Sequence, residues 1–136
     1  MRRIIPYVAT LLVFVAVDAV WLTLTTAVYR NQLGDLLAPQ VRWVPAVSFY
    51  LLQVLGIQVF VLARAERAVH AVCFGAGFGF FTYGTYDLTN WAVLKDWSFS
   101  ISAMDMAWGA VVTGIASLAG FLAMRFMTGD SRRPAF

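Results

Sequence analysis

The stretch IIPYVATLLVFVAVDAVWLTLTTA, residues 4–27, carries a single charged side chain, Asp18. A helix needs about 20 mostly apolar residues to cross the hydrocarbon core of a bilayer, and this run is long enough. Three more runs follow the same rule. Residues 44–63 hold no charge, residues 68–94 hold only Asp87, and residues 101–124 hold only Asp105. Four apolar runs joined by short connections favour antiparallel neighbours in an up-down bundle. The expected fold is therefore all-α: a polytopic membrane protein built as an antiparallel four-transmembrane-helix bundle. It forms one domain over residues 1–136, with helices over about 4–29, 44–63, 68–94 and 101–125, and 126–136 as a flexible cytoplasmic tail.

Composition agrees with that reading. Hydrophobic residues make up 61% of the chain and charged residues 12%, against about 25% charged in a soluble domain. The start Met1-Arg2-Arg3 followed by apolar residues resembles a signal peptide, with Val17-Asp18-Ala19 as a cleavage site, but a run that continues to Ala27 is too long for a signal core and reads as helix 1. Net charge is +3, yet nucleic acid is not an expected partner, because the basic residues lie at helix ends. Seven arginines (Arg2, Arg3, Arg64, Arg67, Arg125, Arg132, Arg133) fall on the side of the termini, against Arg30, Arg42 and Lys95 on the other. The positive-inside rule then puts both termini in the cytoplasm. The one cysteine, Cys73, permits no intrachain disulfide.

The loop Arg30–Trp43 is the longest connection, and its NQLGDLLA stretch could form a short interfacial helix. Pro45 suits a first helical turn, Ser100 or Ser102 could cap helix 4, and Arg30, Trp43, Lys95, Trp97 and Arg125 fit interfacial anchors.

Each intramembrane aspartate is followed by a tryptophan three or four residues on: Trp21, Trp91 and Trp108. A carboxylate at the centre of a spanning helix costs about 2.5–3.5 kcal/mol on insertion scales, so these residues are the first candidates for function. Counting 1.5 Å per residue from the expected helix ends puts Asp18, Asp87 and Asp105 in the outer half of the bundle, with Tyr50 and Gln53 entering from the same side. On helix 3, Ala71, Gly75, Gly79, Tyr83, Asp87 and Trp91 recur every four residues and share one face, small at the inner end and bulky at the outer. Asn90 lies close to that face. The spacing suggests a bundle pinched toward the cytoplasm and open at the other end.

No lysine or arginine lies within the spans to neutralise the aspartates. Protons could keep them neutral, a hard cation could sit among Asp, Asn, Gln and Thr oxygens, or a cationic ligand could be held between carboxylates and aromatic faces. Alternatively, each aspartate could serve only as a polar clamp between helices, and many of the aromatics as packing or interfacial belt. The repeated pattern Asp18-x-x-Trp21 with Thr26 and Asp105-x-x-Trp108 with Thr113 lies on helices of opposite direction, and is either recurring chemistry or coincidence. One histidine, His70, and one cysteine leave no zinc-spaced set and no catalytic triad. No metal ligand, cofactor or catalytic residue is assigned.

The string FFTYGTYDLTN, residues 80–90, and MDMAWG, residues 104–109, resemble a family of small bacterial predicted membrane proteins of unknown function, the domain-of-unknown-function family 2177. DAVWL at 18–22 and SFYLL at 48–52 fit the same pattern. The resemblance implies a four-span protein of the bacterial inner membrane and supplies no activity. From the residues, the first expectation is a protein that binds or transports a small ligand or cation at Asp18, Trp21, Tyr50, Gln53, Tyr83, Asp87, Asn90, Trp91, Asp105 and Trp108, with a homodimer needed if it transports. A lipid-modifying enzyme or its accessory subunit, with a lipid ligand, ranks second because no activated nucleophile is evident. A purely structural membrane partner is the third reading.

Overall fold

The computed structural model describes residues 4–129. Helix α1 spans Ile4–Leu33 and ends in one 3-10 turn, Gly34–Leu36. Helix α2 spans Trp43–Gly56 and passes without a break into a π-helix, Ile57–Leu62. Helices α3 and α4 span Ala68–Val93 and Phe99–Thr128. The architecture is all-α, and the molecule is a membrane protein.

The distribution of side chains identifies the solvent. Thr10, Asp18, Gln53, Asp87, Ser102, Thr113 and Ser117 are buried, while Leu12, Leu24, Phe81 and Val93 point outward. Polar groups held inside under a broadly apolar exterior are costly in water and favourable in lipid. α1 with its 3-10 turn, α2 with its π extension, and α4 are each long and apolar enough to cross a membrane. α3 is long enough at 26 residues, since about 20 suffice, but its glycines, threonines, tyrosines and Asp87 lower its hydropathy. Part of that set faces protein rather than lipid: Gly75, Gly79, Gly84 and Asp87 are buried, with Ala71 on the same side.

The α3–α4 contact is the most intimate in the bundle, followed by α1–α4. Small residues permit it. A Cβ on Gly79 would run into the carbonyl oxygen of Gly109, and one on Gly75 would meet Ser117 and the Thr113 carbonyl. The helix 3 ridge read from the four-residue spacing is thus the seam with α4. At the termini end, Phe14, Val54, Ile57, Val61, Val112, Ala116 and Phe121 form a core cluster. There Gln58 donates to Thr10 Oγ1 at 3.2 Å, and Thr10 donates to the Pro6 carbonyl at 2.8 Å.

α2 is the exception to close packing. Its α-helical part lies against α1, whereas the π segment that follows approaches α3 and α4. The bundle closes around Ile57–Leu62 and opens toward Trp43.

Several boundaries differ from the sequence reading. α1 continues past Tyr29 to Leu33, and the interfacial helix reduces to a single 3-10 turn. This shortens the first loop and puts Asp18 in the middle of α1. α4 begins at Phe99, with Ser98 at its N-cap position and no side-chain cap bond. Ser98 and Ser100 instead donate to Gln32 Oε1 at 2.6 and 2.8 Å, joining the end of α1 to the start of α4. Ser102 accepts from Trp97 Nε1 at 3.0 Å. α4 runs through Thr128 and stops at Gly129, whose φ of 65° suits glycine at a helix C-terminus. Most of the expected tail, residues 130–136, lies outside the described residues, as do Arg2 and Arg3.

Candidate functional site

The opening between α2 and the rest of the bundle is a cavity of about 650 Å³, lined by all four helices. α1 contributes Asp18, Trp21, Leu22 and Tyr29. α2 contributes Ala46, Phe49, Tyr50 and Gln53. α3 contributes Thr82, Tyr83 and Tyr86, and α4 contributes Asp105 and Trp108. The volume is in the range of small-molecule sites, about 300–1,000 Å³.

Helical spacing explains how each element delivers its residues. Asp18, Trp21, Leu22 and Tyr29 lie three, four and eleven residues apart, which returns each to one face of a helix with 3.6 residues per turn. Ala46, Phe49, Tyr50 and Gln53 repeat that pattern on α2. On α4, Asp105 and Trp108 are one turn apart. The next residue, Gly109, leaves room for the Tyr83 ring: a Cβ there would collide with it.

The two Asp-x-x-Trp motifs meet face to face. The Trp21 and Trp108 rings stack with centroids 4.3 Å apart and planes 5° from parallel. Trp108 Nε1 donates to Asp18 Oδ1 at 2.9 Å. The reciprocal link runs through one intermediary: Trp21 Nε1 donates to Tyr29 Oη at 3.3 Å, and the Tyr29 hydroxyl donates to Asp105 Oδ1. Opposite helix directions, which argue against a duplicated domain, are what allow the two motifs to meet as an antiparallel pair. The correspondence stops there. Thr113 accepts from Gln53 Nε2 at 3.4 Å, while Thr26 donates to the Leu22 carbonyl within its own helix.

The three aspartates have three different environments. Asp18 is fully engaged: Oδ1 receives Trp108 and Oδ2 receives Tyr50 Oη at 2.7 Å, so it ties α1 to both α2 and α4. Asp105 receives Tyr29 on one oxygen, is partly exposed, and lines the cavity. Asp87 is fully buried, and neither of its oxygens has a hydrogen-bond partner among the described residues. Gln53 Nε2 also donates to Thr82 Oγ1 at 3.1 Å, which closes the floor. The Phe49 ring packs edge-on against Tyr83 at 6.1 Å.

Asp18, Trp21, Tyr50, Gln53, Tyr83, Asp105 and Trp108 therefore line one cavity. Asp87, Asn90 and Trp91 do not. The reason is geometric: a four-residue step overshoots one turn by about 40° at 3.6 residues per turn, so the ridge Tyr83–Asp87–Trp91 rotates away from the cavity as it climbs. Asp87 faces the α4 seam, and Trp91 is 47% exposed, with its ring against Phe99 at 5.4 Å. Asn90 is half-buried near the end of α3, where its carbonyl accepts the Leu94 amide at 2.8 Å. Leu22, Tyr29, Ala46, Phe49, Thr82 and Tyr86 are lining residues that the sequence reading did not select. Tyr29 was the most accessible of them, since it lies three turns from Asp18 on the same face.

Among the described residues, no basic side chain lines the cavity. Among the described residues, no three His, Cys, Asp or Glu side chains cluster as a metal would require. What the arrangement offers is an acceptor-rich, aromatic box: two carboxylates, four phenols and two stacked indoles.

No curated protein and no solved structure matches the chain. A family model does match, over residues 3–122, a span that takes in every residue lining the cavity. The chain belongs to the predicted membrane protein family DUF2177.

Proposed function

We propose that the protein binds a small organic cation in the cavity between α2 and the other helices, as a carrier or receptor site within the membrane. The observation that supports this reading is the lining: two aspartates and seven aromatic rings with no lysine or arginine among them. An intramembrane carboxylate without a basic partner favours a positive charge beside it. Aromatic faces add cation–π attraction of about 0.5–2 kcal/mol per well-placed ring. Asp105 is the carboxylate that meets the ligand, because one of its oxygens has no hydrogen-bond partner among the described residues. Asp18, with both oxygens engaged, holds the walls.

The excess of arginine on the side of the termini supports cytoplasmic termini, which would open the cavity toward the opposite face. The family resemblance supports a bacterial inner membrane as the location.

The test is binding by the purified protein in detergent. Tetraphenylphosphonium serves as the cation and triphenylphosphine oxide as a neutral analogue. The cation should bind and stabilise the wild type against heat, and the neutral compound should do neither. Asp105→Asn should weaken cation binding by at least about tenfold, equivalent to about 1.4 kcal/mol, while the protein stays folded. Equal binding of the neutral analogue, or undiminished binding by Asp105→Asn, would overturn the reading.

A further inference from the structure

Asp87 has no role in lining the cavity, yet it is the most costly side chain in the bundle. It is 0% exposed, and neither carboxylate oxygen has a hydrogen-bond partner among the described residues. An ionised carboxylate in that position is strongly unfavourable, because nothing replaces the hydration it has lost.

The register of the α3–α4 seam places it opposite the first turns of α4. Gly79 meets Gly109, and Gly84 meets Met106, so the next turn of α3 comes level with Ser102 and Asp105. The titratable groups around it are Asp105 on α4, Tyr29 on α1, which donates to Asp105, and Tyr86 on its own helix. The titratable group of α2 that enters the cavity, Tyr50, turns to Asp18 instead. Among the described residues, none of the groups around Asp87 is basic. A buried carboxyl group that lacks a cation and a donor, and sits beside a second carboxylate, is relieved by a proton.

We propose that Asp87 is a proton-exchange site beside the cavity: it carries a proton until a cation occupies Asp105, and the bound cation displaces that proton. The inference rests on the cation-binding reading given above. The balance is simple. The Asp87 O–H bond breaks, its electron pair stays on the carboxylate, and the proton passes to water that enters through the cavity lined by Asp105 as the cation arrives. The arriving positive charge replaces the one lost, so the site's net charge is unchanged. Linkage makes the effect reciprocal: protons weaken cation binding by the same factor that cations weaken proton binding.

Calorimetry of tetraphenylphosphonium binding in phosphate and in Tris, buffers of different ionisation enthalpy, reads the protons released per cation. The wild type should release a proton on binding, and its affinity should rise with pH, approaching tenfold per pH unit where one full proton is lost. Asp87→Asn should bind the cation with no proton release and with an affinity that does not vary with pH. Binding by the wild type without proton release overturns the inference and leaves the cation site standing. Proton release that persists in Asp87→Asn does the same, and assigns the proton to Asp105. Absence of binding in the wild type removes the cation reading, and this inference with it. If Asp87→Asn does not fold, infrared difference spectra of the wild type decide. Loss of a carboxylic-acid C=O band on adding cation supports the exchange, and an unchanged band refutes it.

Discussion

Asp18 provides the sharpest test of the division of labour among the aspartates. Its two oxygens accept one hydrogen bond each, from Trp108 Nε1 and Tyr50 Oη. If it acts as a clamp, what matters is those two bonds and not the charge. Asp18→Asn can keep both contacts: the amide oxygen accepts from the indole, which is only ever a donor, and the amide nitrogen donates to the phenol oxygen. Tyr50 then has to find another acceptor for its own hydrogen. The cost should be about one interhelical bond, which in membrane proteins averages about 0.6 kcal/mol. Asp18→Ala loses both bonds and strands two donors. At about 0.6–1.7 kcal/mol each, the loss is about 1–3 kcal/mol. Reversible unfolding in mixed micelles of rising SDS fraction, followed by tryptophan fluorescence, would resolve that difference. The expected order is wild type, then Asn close behind, then Ala. Asp105→Asn should show the opposite profile, with little change in stability and a large loss of cation binding. If Asp18→Asn is as damaging as Asp18→Ala, the negative charge itself holds the helices together and the clamp argument fails.

The α3–α4 seam and the tryptophan stack make two further predictions. Gly79→Ala places a methyl group against the Gly109 carbonyl and must part the helices, at a cost of about 1–3 kcal/mol for overpacking. Gly77→Ala, which has open space around it, should be within about 0.5 kcal/mol of wild type; equal effects in thermal unfolding would contradict the seam. Trp21→Phe replaces one indole of the parallel pair with a smaller ring and deletes the N–H that reaches Tyr29, which should cost about 0.5–1.5 kcal/mol. It should also abolish a coupled tryptophan band in near-ultraviolet circular dichroism, and an unaltered spectrum would mean that the rings do not stack in solution.

The fold was legible because membrane insertion imposes a coarse rule that depends on counting apolar residues. Helix ends were less legible, because they depend on single interactions. α1 reads as ending at Tyr29 if Arg30 marks the interface, yet Gln32 is drawn into the helix by the hydroxyls of Ser98 and Ser100. The small-residue ridge of α3 was visible in the spacing of Gly75 and Gly79, but the spacing did not say that α4 was the helix it met. The lining showed the same limit. Seven of the candidate side chains share the cavity, since carboxylates and aromatics stand out in apolar runs. The same cue drew in Asp87 and Trp91, because equal spacing suggests one face, whereas a helix turns slightly with each four-residue step.

The π-helix was invisible to sequence reasoning, and it lies where the bundle closes below the cavity. Residues 44–63 carry no charge and give no hint of a change in helix type. A π turn closes on the fifth residue rather than the fourth, as the Ala63 amide does on the Gln58 carbonyl at 3.2 Å. It widens the helix and shifts the phase of every side chain beyond it. Here it begins directly after Gly56, where a Cβ would strike the Phe78 ring, so α2 reaches α3 at a residue without a side chain. Below that point Gln58 turns to Thr10 on α1, while Ile57 and Val61 enter the core. Above it Tyr50 and Gln53 stay on the cavity face. The stripe Tyr50, Gln53, Ile57 and Val61 changes from polar to apolar as it descends, and α2 changes with it from cavity wall to core. α2 thus closes the bundle at one end and stands apart at the other. It is that separation which leaves an oxygen of Asp105 facing open space.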